Sequence, residues 1–405
     1  MSDATGISPQ QRGGTVGEVF AVFLGLGLTS FGGPVAHLGY FRDTFVRRRQ
    51  WLGERAYADL VALCQFLPGP ASSQVGMAIG LHRAGIGGLL AAWTAFTLPS
   101  AIALVAFAYG ATAVGMDGEA GWIDGLKASA VAVVAHAVAG MARNLTPDKE
   151  RATIAVAGMI GAMLAPTAIG QVLVIAAAAV AGLIWLRPPE RQHDGQEGLH
   201  VRVGRKTAAG CLVAFGTLLA ALPVLAATTG DGIVRLIDGF YRAGSLVFGG
   251  GHVVLPLLQA ETVRTGLVDT ETFLAGYGAA QAVPGPLFTF AAYLGTFAAA
   301  PPTGVAGAAI ALLAIFLPSA LLVLGVLPFW ERLRGSPLAQ RALMGVNAGV
   351  VGLLAAALYT PVFTSGVTST ATMAIAAASF VALATWRVPA WAVVITAGAA
   401  GALVL

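Results

Sequence analysis

Long apolar stretches bounded by short polar turns recur along this chain, and between them nothing has the composition of a soluble domain. About 20 consecutive apolar residues cross a bilayer as a helix. Lipid permits little else from such a stretch, because a backbone N–H or C=O left unpaired there is expensive. The uninterrupted candidates are Ile86–Gly110, Ile123–Met141, Ala152–Leu164, Ile169–Leu186, Thr207–Thr228, Gly304–Leu327, Ala342–Tyr359, Ala371–Trp386 and Trp391–Leu405. Only 10% of residues are charged and the mean hydropathy is +0.79, against about 25% charged in a soluble domain. The chain therefore reads as an all-α polytopic membrane protein. Its net charge of +4 lies in loops, which argues orientation in a membrane rather than nucleic-acid binding. The N-terminal MSDATGISPQQRGG is polar and does not read as a cleavable signal peptide.

Four further segments are apolar but interrupted: Glu18–Arg42, Tyr57–Leu81, Gly232–Gln259 and Phe273–Ala299. The first and third carry FGGP (Phe31–Pro34) and FGGG (Phe248–Gly251). The second and fourth carry CQFLPGPASS (Cys64–Ser73) and AQAVPGPLFT (Ala280–Thr289). Proline cannot donate to the helix ladder and clashes with the preceding turn, so a Pro-Gly-Pro core splits its segment into two half-helices. Counting the broken segments gives about ten to thirteen membrane segments.

These breaks form an internal repeat. FGG at Phe31 recurs at Phe248, and Gln-x-x-Pro-Gly-Pro at Gln65 recurs at Gln281. Leu-Pro-Ser occurs at Leu98–Ser100 and again at Leu317–Ser319, and GLKASAV at Gly125 is matched by GVNAGVV at Gly345. The four motifs keep their order and an almost constant spacing. The expected organisation is a repeat over 1–186, a hydrophilic cytoplasmic linker over 187–206, a connecting helix over 207–228 and a second repeat over 229–405. Loop charge predicts that the halves are inverted. Arg42–Arg55 holds five arginines, whereas its counterpart Gln259–Glu271 holds one. Ala111–Asp124 has no Lys or Arg, whereas Pro328–Arg341 has three arginines. Basic loops favour the cytoplasm, so the preference swaps between the halves, and the unpaired helix Thr207–Thr228 supplies the odd crossing. The C-terminus is then external. Inverted repeats with discontinuous helices characterise secondary transporters.

A half-helix N-terminus presents free N–H donors and a partial positive charge, and so holds an anion without a buried cation. The candidates that line such a site are Gly32, Gly33, Pro34, Pro68, Gly69, Pro70, Gly249, Gly250, Gly251, Pro284, Gly285 and Pro286, with hydroxyls from Ser72, Ser73 and Thr289. Packing and kinking alone would explain any one of these motifs; the recurrence of both in both halves favours substrate lining. Gln65 and Gln281 precede each Pro-Gly-Pro and serve either as interhelical glue or as substrate contacts. Lys127, with repeat partner Asn347, either attracts anion or snorkels and pairs with Asp124. His37 and His252 follow the FGG motifs and can bind anion or relay protons. His136 reads as a satisfied core histidine, and the Arg42–Arg55 cluster as a positive-inside anchor. Cys64 and Cys211 lie in apolar segments, which argues against a disulfide or a thiolate metal site. No metal or cofactor is expected.

No Walker loop, HExxH or GxSxG occurs, so transport is expected to be secondary or channel-like and no enzyme is expected. FGGPVAHLGYFRDTFVRRRQWLGE, LCQFLPGPASSQVGMAIG, FTLPSA, FGGGHVVLPLLQAE and AQAVPGPLFTFAAYLG together resemble the two-domain chromate ion transporter family, over nearly the whole chain. The resemblance implies a multi-pass protein of the bacterial inner membrane that exports chromate and confers chromate resistance, with two halves of opposite orientation. It implies export driven by the membrane potential or the proton gradient. It marks Phe31–Pro34, Gln65, Pro68–Pro70, Phe248–His252, Gln281 and Pro284–Pro286 as signature positions; where related second halves often carry Asn, this chain has Thr289. The expected partners are chromate or a similar small oxyanion and membrane lipid, with a possible homodimer and no nucleic acid. Sulfate matches chromate in shape and charge, so a sulfate or other oxyanion transporter that handles chromate as a mimic is the alternative.

Overall fold

Glycine and proline decide where the helices stop. The computed structural model describes residues 14–113, 121–187, 203–299 and 301–405, and within them the chain is helical without strands. The polar N-terminus before residue 14, loop residues 114–120 and linker residues 188–202 lie outside the described residues. The first half comprises α1 (Val16–Thr29), α2 (Gly33–Phe41), α3 (Glu54–Phe66), α4 (Ala71–Ala113), α5 (Gly121–Leu145), α6 (Lys149–Leu164) and α7 (Ala168–Trp185). Helix α8 (Arg205–Thr229) follows. The second half comprises α9 (Gly232–Leu246), α10 (Val254–Leu258), α11 (Thr270–Ala282), α12 (Phe290–Thr296), α13 (Gly304–Val326), α14 (Trp330–Arg334), α15 (Pro337–Ala357), α16 (Thr364–Gly366), α17 (Thr370–Ala384) and α18 (Ala390–Val404). Short π-helical turns continue α2 (Arg42–Arg48) and α10 (Gln259–Val263) at matching places in the two halves.

Among the described residues, six helical segments have the length and apolarity to cross a membrane, α4, α5, α7, α8, Gly304–Phe329 and Pro337–Gly366, and four apolar helices are shorter. The chain is thus a multi-pass, all-α membrane protein. Element α4 is two helices joined at a kink: Ala84 (φ −142) and Gly85 (φ +65) leave helical geometry, so Ile86–Gly110 lies within a helix of its own, as its apolarity suggested. Gly80 and Gly88 face each other across that turn so closely that no Cβ would fit. In the second half Gly295 and Gly307 do the same between α12 and α13. The short APTA turn does fold α6 and α7 into a hairpin, with Thr167 Oγ1 accepting from the Gly170 N–H at 3.0 Å.

Each half folds its broken segments into two hairpins whose tips are the Gly/Pro motifs. The ends of the first pair gather on one face: Gly14 N–H donates to Arg83 O (3.0 Å), Arg83 Nη2 pairs with Glu18 (3.2 Å), and the Arg83 guanidinium stands 4.9 Å over the Trp51 ring. In the second pair, Ala299 N–H donates to Leu267 O (2.9 Å), Glu261 pairs with Arg242 of α9, and Gly232 abuts Pro301. Tyr109, near the far end of α4, reaches Gly304, so the second pair has its ends where α4 has finished its run.

The remaining helices interlock reciprocally. Helix α5 packs on α17 and α18, and α15 packs on α6 and α7. Both seams are made of small residues: Gly121 and Gly125 against Ala397 and Gly401, and Gly345 and Gly352 against Ala178, Gly182 and Ala155. Apolar burial supplies little drive between helices in lipid, so close backbone approach through glycine and alanine supplies the packing. Gly125 and Gly345 are the first residues of the GLKASAV and GVNAGVV repeat.

Candidate functional site

The four loop tips cross in the interior. Gly69, at φ +120, donates its N–H to Val247 O at 2.7 Å, and Gly285, at φ +105, donates to Ser30 O at 2.9 Å. Val247 and Ser30 each immediately precede an FGG motif, so each Pro-Gly-Pro tip docks on the FGG segment of the other half. A Cβ on Gly69 would stand 2.5 Å from Ser319 Oγ, and one on Gly285 would stand 2.8 Å from Ser100 Oγ. The two Leu-Pro-Ser serines therefore wall the opposite halves' tips. The FGG loops also touch, with Gly251 packed against Pro34. Gly32 and Gly33 (φ +98 and +76) and Gly249 and Gly250 (φ +76 and +141) adopt backbone that a side chain would strain.

Around this crossing lies a set of buried polar atoms without hydrogen-bond partners: Ser30 Oγ, Ser73 Oγ, Gln74 Oε1, Thr97 Oγ1, Gln281 Nε2 and Asn347 Oδ1. Buried polar groups in native proteins are nearly always paired, so such a concentration points to a place that binds something polar. The other predicted hydroxyls are engaged. Ser72 Oγ lies 3.3 Å from His37 Nδ1, and His37 Nε2 lies 3.1 Å from Ser30 O. With Nε2–H donating to that carbonyl, Nδ1 accepts from Ser72, and the fully buried His37 joins α2, α1 and α4 rather than facing a cavity. Thr289 Oγ1 donates to Pro286 O at 2.8 Å. His252 Nδ1 is 2.9 Å from Tyr277 Oη.

A cavity of about 750 Å³ opens between α3 and α15. Gln65 and Phe66 of α3 line one wall, and Trp330, Gln340 and Asn347 the other. Arg151 and Arg187 stand among its outer residues. Arg151 donates its backbone N–H (2.8 Å) and Nε–H (2.6 Å) to Asp148, and these hydrogen bonds hold Asp148 below the usual carboxylate range. Asn347, one of its lining residues, has its Oδ1 3.5 Å from where a Gly249 Cβ would be, so the cavity reaches toward the second FGG loop.

The corresponding position on the other face is shut. Helix α11 packs directly on α5, with Gly278 against the Leu126 carbonyl. Lys127, 4% exposed, pairs with Asp124 Oδ1 (2.9 Å) and Glu271 Oε2 (3.5 Å). The structure therefore places Lys127 away from the Gln65–Asn347 cavity, its charge taken up by two carboxylates, and separates Gln281 from Gln65. The repeats put Gln65 beside Asn347 and Gln281 on the side of Lys127, in two distinct compartments joined through the loops.

Ser30, Gln74, Ser100 and Ser319 were not foreseen as site residues. Gln74 Nε2 donates to Pro68 O at 2.7 Å and so fixes the first Pro-Gly-Pro tip. The Leu-Pro-Ser repeat was the available signal for the two serines, since a motif that recurs with the loops it walls has a reason to travel with them.

A sequence model of the chromate transporter family matches residues 17–183 and 234–402. A chromate transport protein of Pseudomonas aeruginosa is 28% identical over 96% of this chain and 92% of its own length. A probable chromate transport protein of Synechococcus elongatus is 28% identical over 83% and 82% of the two chains. A chromate transport protein of Cupriavidus metallidurans is 26% identical over 85% and 82%. No solved structure matches.

Proposed function

The chain belongs to the chromate transporter family, and from that premise we propose that it is a secondary transporter that exports chromate across the inner membrane and so confers resistance. The carrying observation is the cavity lined by Gln65 and Asn347, whose Asn347 reaches Gly249 of the second FGG loop, together with buried polar atoms without partners in the same helices and loops. Chromate is a small tetrahedral dianion, and leaving water it needs several donors at once. Ser30, Ser73 and Thr97 hydroxyls and the Gln65 and Asn347 amides supply neutral donors from the open compartment, and Gln281 supplies one from the closed compartment. The N-terminus of α2, opened by Gly32 and Gly33, adds backbone N–H groups and dipole. Neutral donors suit a carrier, which must release what it binds.

Loop charge sets the orientation. The face bearing Arg42–Arg55 and the Gln65–Asn347 cavity is cytoplasmic, the linker 187–206 lies on it, and the halves 1–186 and 229–405 are inverted about the membrane plane with α8 between them. The structure then corresponds to a cytoplasm-open state. Rocking α3 onto α15 while α11 leaves α5 would expose the same crossing to the outside, which is alternating access. Nothing in this chemistry calls for catalysis.

Chromate flux in proteoliposomes of the full chain, under imposed pH and potential gradients and with excess sulfate, tests the reading. Chromate uptake that sulfate fails to suppress supports it. Full suppression by the excess sulfate would replace chromate with a broader oxyanion as substrate, and no flux of either would overturn the proposal.

A further inference from the structure

The second half buries charge where the first half has none. Asp238 and Arg242 lie one turn apart on α9, and Glu261 lies in the π-helical turn after α10. Arg242 Nη2 stands 2.8 Å from Asp238 Oδ2 and 2.8 Å from Glu261 Oε2, and its Nε stands 2.7 Å from Glu261 Oε1. The Asp238 and Glu261 side chains are 9% and 6% exposed, that of Arg242 23%. With the two FGG motifs in register, the first half has Ala21, Gly25 and Thr44 at these positions, so the pairing of this helix with its π-turn does not require ions. A cavity of about 400 Å³, lined by Arg235, Asp238, Gly239, Arg242, Glu261 and Thr265, leads to the cluster. It opens among the ends of the second pair of hairpins, on the face opposite the Gln65–Asn347 cavity.

Two buried carboxylates on one guanidinium leave one negative charge in excess, and a buried charge without a partner is relieved most cheaply by taking up a proton. The surroundings offer little other relief. Arg235, on the exposed turn of α9, stands at the mouth. Arg264 is exposed on the loop beyond, where Asp269 caps α11 through the Thr272 N–H (2.8 Å). Helix α8 contributes Ala226 and Ala227 there, and α13 carries no titratable residue.

Resting on the transporter reading above, we propose that Asp238 and Glu261 share a proton-binding site, loaded from the external face, through which proton entry drives anion export. Glu261 and Arg242 tie together the two arms that flank the FGGG loop. A proton on Glu261 turns a bidentate ion pair into a neutral hydrogen bond and leaves Arg242 to Asp238, which loosens the hairpin whose tip meets the substrate cavity. Release of the proton restores the tie.

Two measurements on the full-length protein test this. Infrared difference spectra of the purified wild type across neutral pH should show a protonated-carboxyl carbonyl band that Glu261→Gln and Asp238→Asn each remove or shift. This readout needs no substrate, so it separates failure of the site from failure of the chromate assignment; a band unchanged in both variants overturns the site. In proteoliposomes a tenfold proton gradient should give the wild type about tenfold chromate accumulation per coupled proton. Glu261→Gln should lose that accumulation yet still exchange internal for external chromate at equal pH. Gradient-driven accumulation at the wild-type level in Glu261→Gln would overturn the coupling.

Discussion

The two pairs of hairpins share one plan and stand in different states. In the first, α3 rests on α4 and a cavity parts it from α15; in the second, α11 lies directly on α5. Gln65 is exposed while the Nε2 of Gln281 is buried. A single position explains much of the difference. Lys127 meets Glu271 where the equivalent residues of the other compartment are Asn347 and Glu54, and Glu54 instead pairs with Arg42 at 2.8 Å. One compartment thus carries a lysine–carboxylate contact that the other lacks, and in the proposed transport cycle this contact would act as a clamp on one of two similar gates.

The comparison breaks most severely at the crossing that both halves share. Gly69→Val or Gly285→Val forces a β-branched residue into a positive-φ position against a serine of the opposite half. Chromate flux at normal membrane levels should fall about 100-fold, equivalent to roughly 2.7 kcal/mol. Near-normal flux in both variants would show that the tips need not dock.

A smaller effect is expected from charge in the open compartment. Asn347→Asp sets a carboxylate in the path of a dianion and should lower flux about tenfold, since like-charge apposition costs on the order of 1–2 kcal/mol. Asn347→Ser, which keeps a donor, should fall far less; equal loss in the two would assign Asn347 a packing role.

The clamp itself can be read by labelling. In a Cys64→Ala, Cys211→Ala background, Gln65→Cys should react with an impermeant thiol reagent from the cytoplasmic face, and Gln281→Cys should be protected. Adding Lys127→Ala should raise labelling of Gln281→Cys from the outside about tenfold, the population change for roughly 1.4 kcal/mol of lost clamp. Unchanged protection would mean that packing of α11 on α5 holds the gate alone.

The smallest change sharpens the contrast between Glu54 and Glu271. The Arg42–Glu54 side chains are about half exposed, and Glu54→Gln should leave stability nearly unchanged, because solvent screens such pairs. Thermal unfolding close to that of the wild type, with unaltered Gln281→Cys labelling, is the expected result.

Much of the plan was legible in the sequence because lipid makes polarity and backbone breaks conspicuous. Pro-Gly-Pro in an apolar segment has no soluble-loop reading, and its recurrence at Pro284–Pro286 made the loop tips recognisable as paired. The start of the Ile86–Gly110 helix was legible because the turn before it ends in Gly85, which takes a positive φ (+65) that no helix continues. The clamp was half legible: Asp124 stands one helical turn from Lys127 and was nameable as a partner, but Glu271 lies in the other half of the chain. The buried placement of His37 had no sequence signal, since a histidine after a loop reads equally well as ligand or as strut.

By itself the sequence determined that the chain spans a membrane, that its helices break at four glycine- and proline-rich points, and that these points come in two matching pairs. Each follows from local physics: the cost of unpaired backbone in lipid, and the missing N–H and fixed φ of proline. Only the tertiary structure decided that each tip docks on the opposite half, that Ser100 and Ser319 wall the tips, and that one compartment stands open while the other is clamped. Those outcomes depend on contacts between residues in different halves of the chain, and no local preference encodes which of two equivalent partners a loop will meet.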